Sequence, residues 1–482
     1  MGIPKYKRFE KTGITDYSVC IHGCITRVLF WDAEYNLLHS FFRAHFMSRF
    51  LLFLIVLLLA KNAGAEGQAM SLHGVLQEIS RDNPTIQAAR YNVQAVEEEY
   101  PQARAGWLPR ASAEASLTAT DIKTGNFSAG DGATTKGAVV SVEQNIFRGF
   151  RTQAEMEGAK ERIEAGRERL KQVEQDIFSR AVRAYMDVIR ARLVLSLQQK
   201  NVELLSEEKK SIRARYDAGD VTQTDIKQTE ARYANALADS AIAQSNLHDS
   251  EAAFEELTGR PPENYMEMPQ IPFKFPDTVQ ALADMAERNN PQIARSRYEQ
   301  KAAEQDIDVE RSGHYPHVTA FASYARDYDP QPGIVDKTEV GTIGLRARIA
   351  LYEGGATQSR IREAKSRASQ QFVEIVEARR AVVRSLIARW KKLASYDAEI
   401  SARELEVSAK RFSSEGVREE AKLGERTVQD TLEADQAVLD AEIGLVTAKH
   451  DRIVTGYELA GDLGLLTSEA LGFQGKRGAD AE

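Results

Sequence analysis

Two short segments of the chain carry the hydroxyl, carboxylate and guanidinium groups best suited to binding other groups. In each segment a Gly is followed three positions later by Thr and three positions after that by Asp. These residues are Gly219, Thr222 and Asp225 in the first segment and Gly424, Thr427 and Asp430 in the second. The second segment adds the carboxylate of Glu433 and Arg426, a side chain that can hold several acceptors at once. Acidic residues on a helix also occur as an ordinary solvated face, so both interpretations stay open.

Motifs for covalent or nucleotide chemistry are absent from the sequence. It contains no G-x-x-x-x-G-K-[ST], no H-E-x-x-H and no G-x-S-x-G. His314 and His317 could suggest a metal pair, but two ligands without a third make a poor site, so we interpret them as an interfacial cluster. Gly130 and Gly132 indicate a loop rather than a phosphate cradle. We therefore expect no enzyme, no metal and no cofactor, and energy must come from a partner.

The matched segments belong to a duplication. Asn83-Pro84 returns at Asn290-Pro291, a shift of 207 residues. Each copy predicts a helix, two alternating stretches joined by a turn, and then a very long helix. The copies span residues 66–260 and 281–466, with a proline-rich linker at 261–280 placed at the waist and a mobile tail at 467–482.

The stretches between Gly149 and Gly219 and between Gly354 and Gly424 are rich in helix formers. As one helix each would be about 105 Å long. Apolar residues recur every seven positions, which predicts helices packed side by side. They include Met156, Ile163, Leu170 and Ile177 in the first copy and Leu432, Leu439, Val446 and Ile453 in the second. Helix periodicity alone cannot exclude the alternative, an ordinary long coiled coil that forms no channel.

The shorter stretches alternate between apolar and polar residues. Examples are Ala111 to Ala119, Val140 to Ile146, Val318 to Tyr324 and Ile343 to Leu351. Period two over about ten residues is typical of strands in a transmembrane β-barrel. A half-buried sheet on a soluble core is the alternative for any single strand. Four strands cannot close a barrel in lipid, where open edges are not tolerated, so several chains must contribute.

The N-terminal region indicates export. Residues 47–65 form a basic start, an apolar run and an A-x-A-like site, the pattern of a signal peptide. Residues 1–46 are a leader that we attribute to an upstream start codon, which leaves open whether translation starts at Met1 or Met47. Cys20 and Cys24, the two cysteines of the chain, lie in that leader. A net charge of −8 argues against nucleic acid as a partner.

The run from Gly424 to Ala434, GERTVQDTLEA, resembles a segment of the TolC family of outer-membrane efflux and secretion channels, including type I secretion outer membrane proteins. The resemblance extends from Met70 to about Leu466. It implies a fold that is mainly α with transmembrane β strands. Long helices would form a periplasmic α-barrel, and four strands per chain would complete a trimeric twelve-stranded β-barrel in the outer membrane.

The same resemblance implies partners and site residues. The homotrimer would contact outer-membrane lipid, a periplasmic adaptor (membrane fusion) protein and an inner-membrane ABC or proton-driven pump. Asp430 and Glu433 would ring the periplasmic entrance, and Arg426 would close it by linking to Thr224 and Asp225 of the neighbouring hairpin. Some members have a Tyr where this chain has Ala421, so closure would depend more on the arginine.

The predicted function is a passive exit duct for type I protein secretion or efflux. The residues Arg426 and Thr427 favour type I secretion slightly, by resemblance only. The identity of the cargo, and whether the channel rests open or closed, stay open. The alternative is a periplasmic coiled-coil adaptor or scaffold without its own pore. Strand alternation is the feature that separates the two, because an adaptor usually needs no strands that face lipid.

Overall fold

The computed structural model describes residues 70–120, 123–124, 127–128, 133–331 and 335–473. The leader, the signal peptide and residues 474–482 lie outside this range. In the described part, the helices are α1 Leu72–Asp82, α2 Pro84–Glu97, α3 Glu99–Arg104, α4 Arg151–Asp217, α5 Gln223–Thr258, α6 Val279–Asn289, α7 Pro291–Arg311, α8 Ala356–Lys422 and α9 Val428–Asp462. The strands are β1 Arg110–Thr120, β2 Lys123–Thr124, β3 Phe127–Ser128, β4 Ala133–Arg148, β5 His317–Gln331 and β6 Val335–Arg348.

Two helical hairpins dominate the molecule. Helices α4 and α8 contain 67 residues each, or about 100 Å at 1.5 Å per residue. Each is followed by a five-residue turn and a returning helix, α5 of 36 residues or α9 of 35. The long helices predicted from the sequence are confirmed. Within the ranges described above, no helix is long and apolar enough to cross a membrane.

The four long strands form one antiparallel sheet in the order β1-β4-β5-β6. One face is apolar and the other polar, as the alternation predicts. The apolar face carries Ala111, Ala113, Val140, Val142, Ala322, Ile343 and Leu345, and the polar face Arg110, Ser112, Ser141, Glu143, Ser323, Thr342 and Arg346. In the single chain Ile343 is 87% exposed and Leu345 is 74% exposed, so this apolar face has no protein cover. The tip pairing of β2 with β3 was not predicted.

The helices pack as a layer whose two edges match those of the sheet. In the hairpin half the order is α5-α4-α9-α8, and in the half next to the strands it is α2-α4-α7-α8. The edge strand β1 follows α2 and α3 in the chain, and the edge strand β6 leads into α8. One side of the protomer is therefore formed by β1, α2 and α5, and the other by β6 and α8.

An asparagine joins the helices that stack end to end at the waist. The Oδ1 atom of Asn290 accepts from the amides of Gln292 and Ile293, which caps α7, and its Nδ2 donates to the carbonyl of Asp462 at the end of α9, at 2.9 Å. Asn83 does the same one repeat earlier, capping α2 and donating to the carbonyl of Leu257 near the end of α5, at 3.0 Å. Both asparagines are 5% exposed. Each Asn-Pro pair thus begins one helix and holds the end of another.

A belt of smaller elements covers one face of the helices at the waist. It consists of α1, the proline-rich linker, α6 and the segment Thr467–Phe473, and it packs on the apolar sides of α4, α8 and α9. The expectation of a mobile tail is wrong for Thr467–Phe473. Ser468 donates its backbone N–H to Glu174 at 3.0 Å, and Phe473 packs edge-on against Phe178, so the buried residues at both ends of the segment anchor it to α4.

Candidate functional site: the paired hairpin tips

Both hairpins end in the same turn. Gly219 and Gly424 have φ of +89° and +81°, the left-handed region, and an added Cβ would meet no atom within 4 Å. Glycine is therefore required here by the backbone conformation and not by crowding. Backbone bonds from Asp220 to Arg215 and from Glu425 to Glu420, at 2.9 and 3.0 Å, close a Schellman motif at the end of each long helix.

A capping box then starts each returning helix. The backbone N–H of Thr222 donates to Asp225 at 2.7 Å, and the amide of Asp225 donates to the Thr222 hydroxyl at 3.3 Å. The same pair of bonds joins Thr427 and Asp430, at 2.9 and 3.2 Å. The bonds from Thr427 hold the pKa of Asp430 below its usual range. The Gly-Thr-Asp spacing of the two segments is thus explained by the turn and the capping box, without any role in binding.

The two tips of one protomer contact each other. Ile226 of α5 and Val428 and Leu432 of α9 are buried in one apolar cluster with residues of α4. On the surface above it, Nε2 of Gln228 lies 3.4 Å from Oε1 of Gln429 and bridges the two returning helices. The tips therefore form a single packed unit within the protomer.

Arg426 does not reach Thr224 or Asp225 of its own chain. Its Nε donates to the carboxylate of Glu420 at 2.8 Å across the turn, and this bond raises the pKa of Arg426. Asp225 is occupied by its capping box, and Thr224 has no side-chain hydrogen bond within the described residues. The predicted closing link stays a prediction, since a neighbouring protomer is needed to test it.

Asp430 and Glu433 lie together on one side of α9. They are three residues apart, on the side of the helix opposite the buried Val428 and Leu432. Glu433 is exposed and accepts from Gln429 at 2.8 Å. Glu433 is therefore uncovered by its own protomer, whereas Asp430 is half-buried and its Oδ2 is held by Thr427. The predicted ring of carboxylates stays a prediction.

A partly buried charge network behind the turn was missed by the sequence reasoning. Asp435 accepts from Ser414 at 2.6 Å and from Arg418 at 2.9 Å, which ties α8 to α9 about two turns from the tip. Glu208 and Arg418 line a cleft of about 600 Å³, where burial raises the pKa of Glu208 and the nearby Asp435 adds to the effect. No sequence spacing joins these residues, because three different helices supply them.

His314 and His317, interpreted from the sequence as an interfacial cluster, belong to neighbouring elements at the base of the sheet. His317 lies on β5 and its Nε2 is 2.8 Å from Oδ1 of Asn145, while His314 belongs to the short 3₁₀ turn before the strand. No group of three or more potential metal ligands is found within the described ranges.

Comparison with known proteins defines the class. A family model described as outer membrane efflux protein matches residues 75–260 and 282–464, the two repeats of the chain. The chain therefore belongs to the outer membrane efflux protein family, its location is the outer membrane, and the prediction of an efflux or secretion channel is confirmed over the adaptor alternative.

Individual relatives support the same class. The outer membrane efflux protein BepC of Brucella suis biovar 1 is 28% identical over 418 residues, covering 85% of this chain and 89% of the relative. The outer membrane protein TolC of Escherichia coli is 23% identical over 423 residues, 84% of each. The crystal structure of the Campylobacter jejuni CmeC outer membrane channel superposes with a TM-score of 0.72 at 14% identity, over 82% of this chain and 86% of that one. The resemblance to the TolC family is confirmed.

Proposed function

We propose that this protein is the passive exit duct of a tripartite export system, built as a homotrimer. Three copies of the four-stranded sheet would close a twelve-stranded barrel, and three helical layers would continue it as a tunnel through the periplasm. The observation that carries the proposal is the sheet, which has an uncovered apolar face and two unpaired edges at the end of a helical layer about 100 Å long.

The open edges of the protomer support a ring. Edge helix α8 exposes Val373, Leu405 and Phe412, which are 64%, 73% and 81% exposed. The opposite edge exposes Tyr91 on α2 and Ile242 on α5, at 68% and 60%. Pairing β6 of one copy with β1 of the next would bring these two sides together, because strands and helices have the same edge order. Isolated copies would leave all of this surface in water or lipid.

The entrance would lie at the hairpin tips. In the trimer, Asp430 and Glu433 would form a threefold ring of carboxylates that concentrates negative potential and favours cations. Arg426 uses one N–H group for Glu420, and its remaining donors would be available to Thr224 and to the Oδ1 atom of Asp225 in a neighbouring hairpin, since the capping box occupies only Oδ2. Breaking such links would let the tips move apart.

The partners follow from the absence of an energy source in the proposed duct. We propose a periplasmic adaptor and an inner-membrane ABC or proton-driven pump, with no enzymatic activity in the chain itself and no role for nucleic acid. Cargo is proposed as exported protein or small molecules. Export assays in cells that lack the channel, with a protein substrate and a fluorescent small molecule in parallel, separate the two.

The test of the ring is the assembly state. Native mass measurement in detergent should give three times the mass of the exported chain, and reconstitution in a bilayer should give channel conductance. Phe412→Glu with Leu405→Glu should weaken the trimer, because it places charge on an apolar edge. Lys410→Glu, an exposed position on the same helix, is the matched control and should leave it intact. A stable, conducting monomer would overturn the proposal.

A further inference from the structure

Three basic side chains stand at the tip of the apolar face of the sheet. Lys136, Tyr328 and Lys337 are aligned across β4, β5 and β6, and Arg326 lies one row below, aligned with Ala138 and Glu339. Antiparallel partners share a face, so all of these residues lie on the apolar side. We name Lys136, Arg326 and Lys337 the basic row.

The height of the basic row matches one surface of a bilayer. Ten residues separate Val318, at the base of the apolar face, from Tyr328. Strands of about 3.4 Å rise per residue, tilted by about 40°, give a vertical distance of roughly 25 Å, the height of an outward-facing apolar band. Exposed aromatic side chains lie at both ends: Trp107, Phe150 and Tyr315 near the base, and Tyr324 and Tyr328 near the tip.

The topology assigns the basic row to the outer leaflet. The base of the sheet connects to the long helices, since only two residues separate Arg148, the last residue of β4, from the first residue of α4. The opposite end of the sheet is the tip, where the chain passes from β1 towards β4 and from β5 to β6. With the helices in the periplasm, the tip lies at the cell exterior.

The charges on the apolar face at this height are unbalanced. Glu339 pairs with both Arg326 and Lys337, and Lys136 takes part in no ion pair within the described residues. Among the described residues of this face, three cations against one carboxylate leave an excess of positive charge, because Asp327 and Asp336 alternate onto the polar face. Nε of Arg326 is 3.3 Å from Glu339 but is shielded from solvent and has no aligned hydrogen-bond acceptor. Its guanidinium lies over the ring of Tyr328, 5.1 Å from the centroid, which fixes its plane.

We propose that the basic row binds the phosphate groups of a phosphorylated glycolipid in the outer leaflet. Charge complementarity identifies the ligand class, because an excess of cations at headgroup height attracts anionic headgroups. Arginine binds phosphate through its planar fork and lysine as a point charge. The acyl chains of the same lipid would lie on the apolar rows below, at Val140 and Ile343. The inference depends on the proposed ring, in which this face points outward.

The experiment uses the full-length trimer in detergent and native mass spectrometry. Two probes are compared: diphosphorylated lipid A and the same lipid after removal of both phosphates. The triple variant Lys136→Gln, Arg326→Gln, Lys337→Gln should bind the diphosphorylated lipid at least tenfold more weakly than the wild type. Both proteins should bind the dephosphorylated lipid equally.

Two further variants keep the test decisive. Lys136→Gln alone breaks no ion pair among the residues that the structure describes, so it should fold normally and lower affinity for the phosphorylated lipid about fivefold. Arg346→Gln, on the same strand as Lys337 but on the polar face, is the matched control and should bind as the wild type does. Equal loss in the control, or an unchanged preference for phosphate in the triple variant, overturns the proposal. The mass of the trimer in the same spectra tests the proposed ring separately. Failure of the lipid-binding proposal can therefore be distinguished from failure of the proposed trimer.

Discussion

Asn290 allows the joint between stacked helices to be measured directly. Asn290→Ala removes the acceptor for the amides of Gln292 and Ile293 and the donor to the carbonyl of Asp462. Loss of an N-cap costs about 1 kcal/mol. Leaving a partly buried carbonyl without its donor costs about 1–2 kcal/mol more. The joint should therefore weaken by about 2–3 kcal/mol. Loss of an ordinary N-cap, which has no bond to a second helix, should cost only about 1 kcal/mol.

Hydrogen exchange at the capped amides is the suitable assay, because it reports local opening without unfolding the whole trimer. At about 1.4 kcal/mol per factor of ten, exchange at Gln292 and Ile293 should accelerate roughly 30- to 150-fold. Asn83→Ala should produce the same effect one repeat earlier, at the start of α2.

The control is an N-cap that joins no second helix. The hydroxyl of Thr278 accepts from the amide of Ala281 at 3.3 Å and makes no other hydrogen bond in the described structure. Thr278→Ala should accelerate exchange at the start of α6 about fivefold. If Asn290→Ala has no larger effect than this control, the bond to Asp462 contributes nothing and the reasoning is refuted.

Three further predictions concern the hairpin tips. Arg426→Ala should raise the resting conductance in a bilayer, whereas Lys422→Ala, an exposed cation in the same turn, should not; equal conductance of the two variants would exclude the tether. Asp430→Ala with Glu433→Ala should reduce cation selectivity and block by multivalent cations without opening the pore, and an unchanged reversal potential would locate the constriction elsewhere. The third prediction concerns pH. Because the pKa of Asp430 is lowered in the folded state, its capping box stabilises the start of α9 above the unfolded pKa of about 3.9 and is lost as pH falls through the lower, folded value. Exchange at the amide of residue 430 should thus rise only in that acid range, and Asp430→Asn should abolish the pH dependence.

Local pattern was sufficient to predict most of the elements. Alternation located β1 and β6 because each side chain on a strand faces either the apolar or the polar side, and the glycine turns located the hairpin tips. The Asn-Pro pairs are local helix-start signals as well, because asparagine caps a helix and proline fits its first turn. Their second role could not be predicted, since the partner carbonyl of Asn83 lies 174 residues away and that of Asn290 lies 172 residues away.

The sequence was sufficient to predict which residues form the candidate site, but not which of them contact each other. Arg426 and Glu420 are six residues apart, a spacing that neither helix nor strand periodicity brings together. They meet because the Schellman turn at Gly424 folds the chain back on itself. The order of Thr467–Phe473 was also invisible in the sequence, because its burial depends on surfaces supplied by α1 and α4.

The asparagine joints have a mechanical consequence. Of the four helical columns in each protomer, α4 and α8 run unbroken from the strands to the tips, while the other two are interrupted at the waist and held there by side-chain hydrogen bonds. A torque applied at the tips is transmitted along the unbroken columns to the strands. In the interrupted columns the same torque can be released by rotation about a single non-covalent contact. The helical tunnel of the proposed ring would therefore alternate between continuous, stiff helices and helices that can bend at the waist.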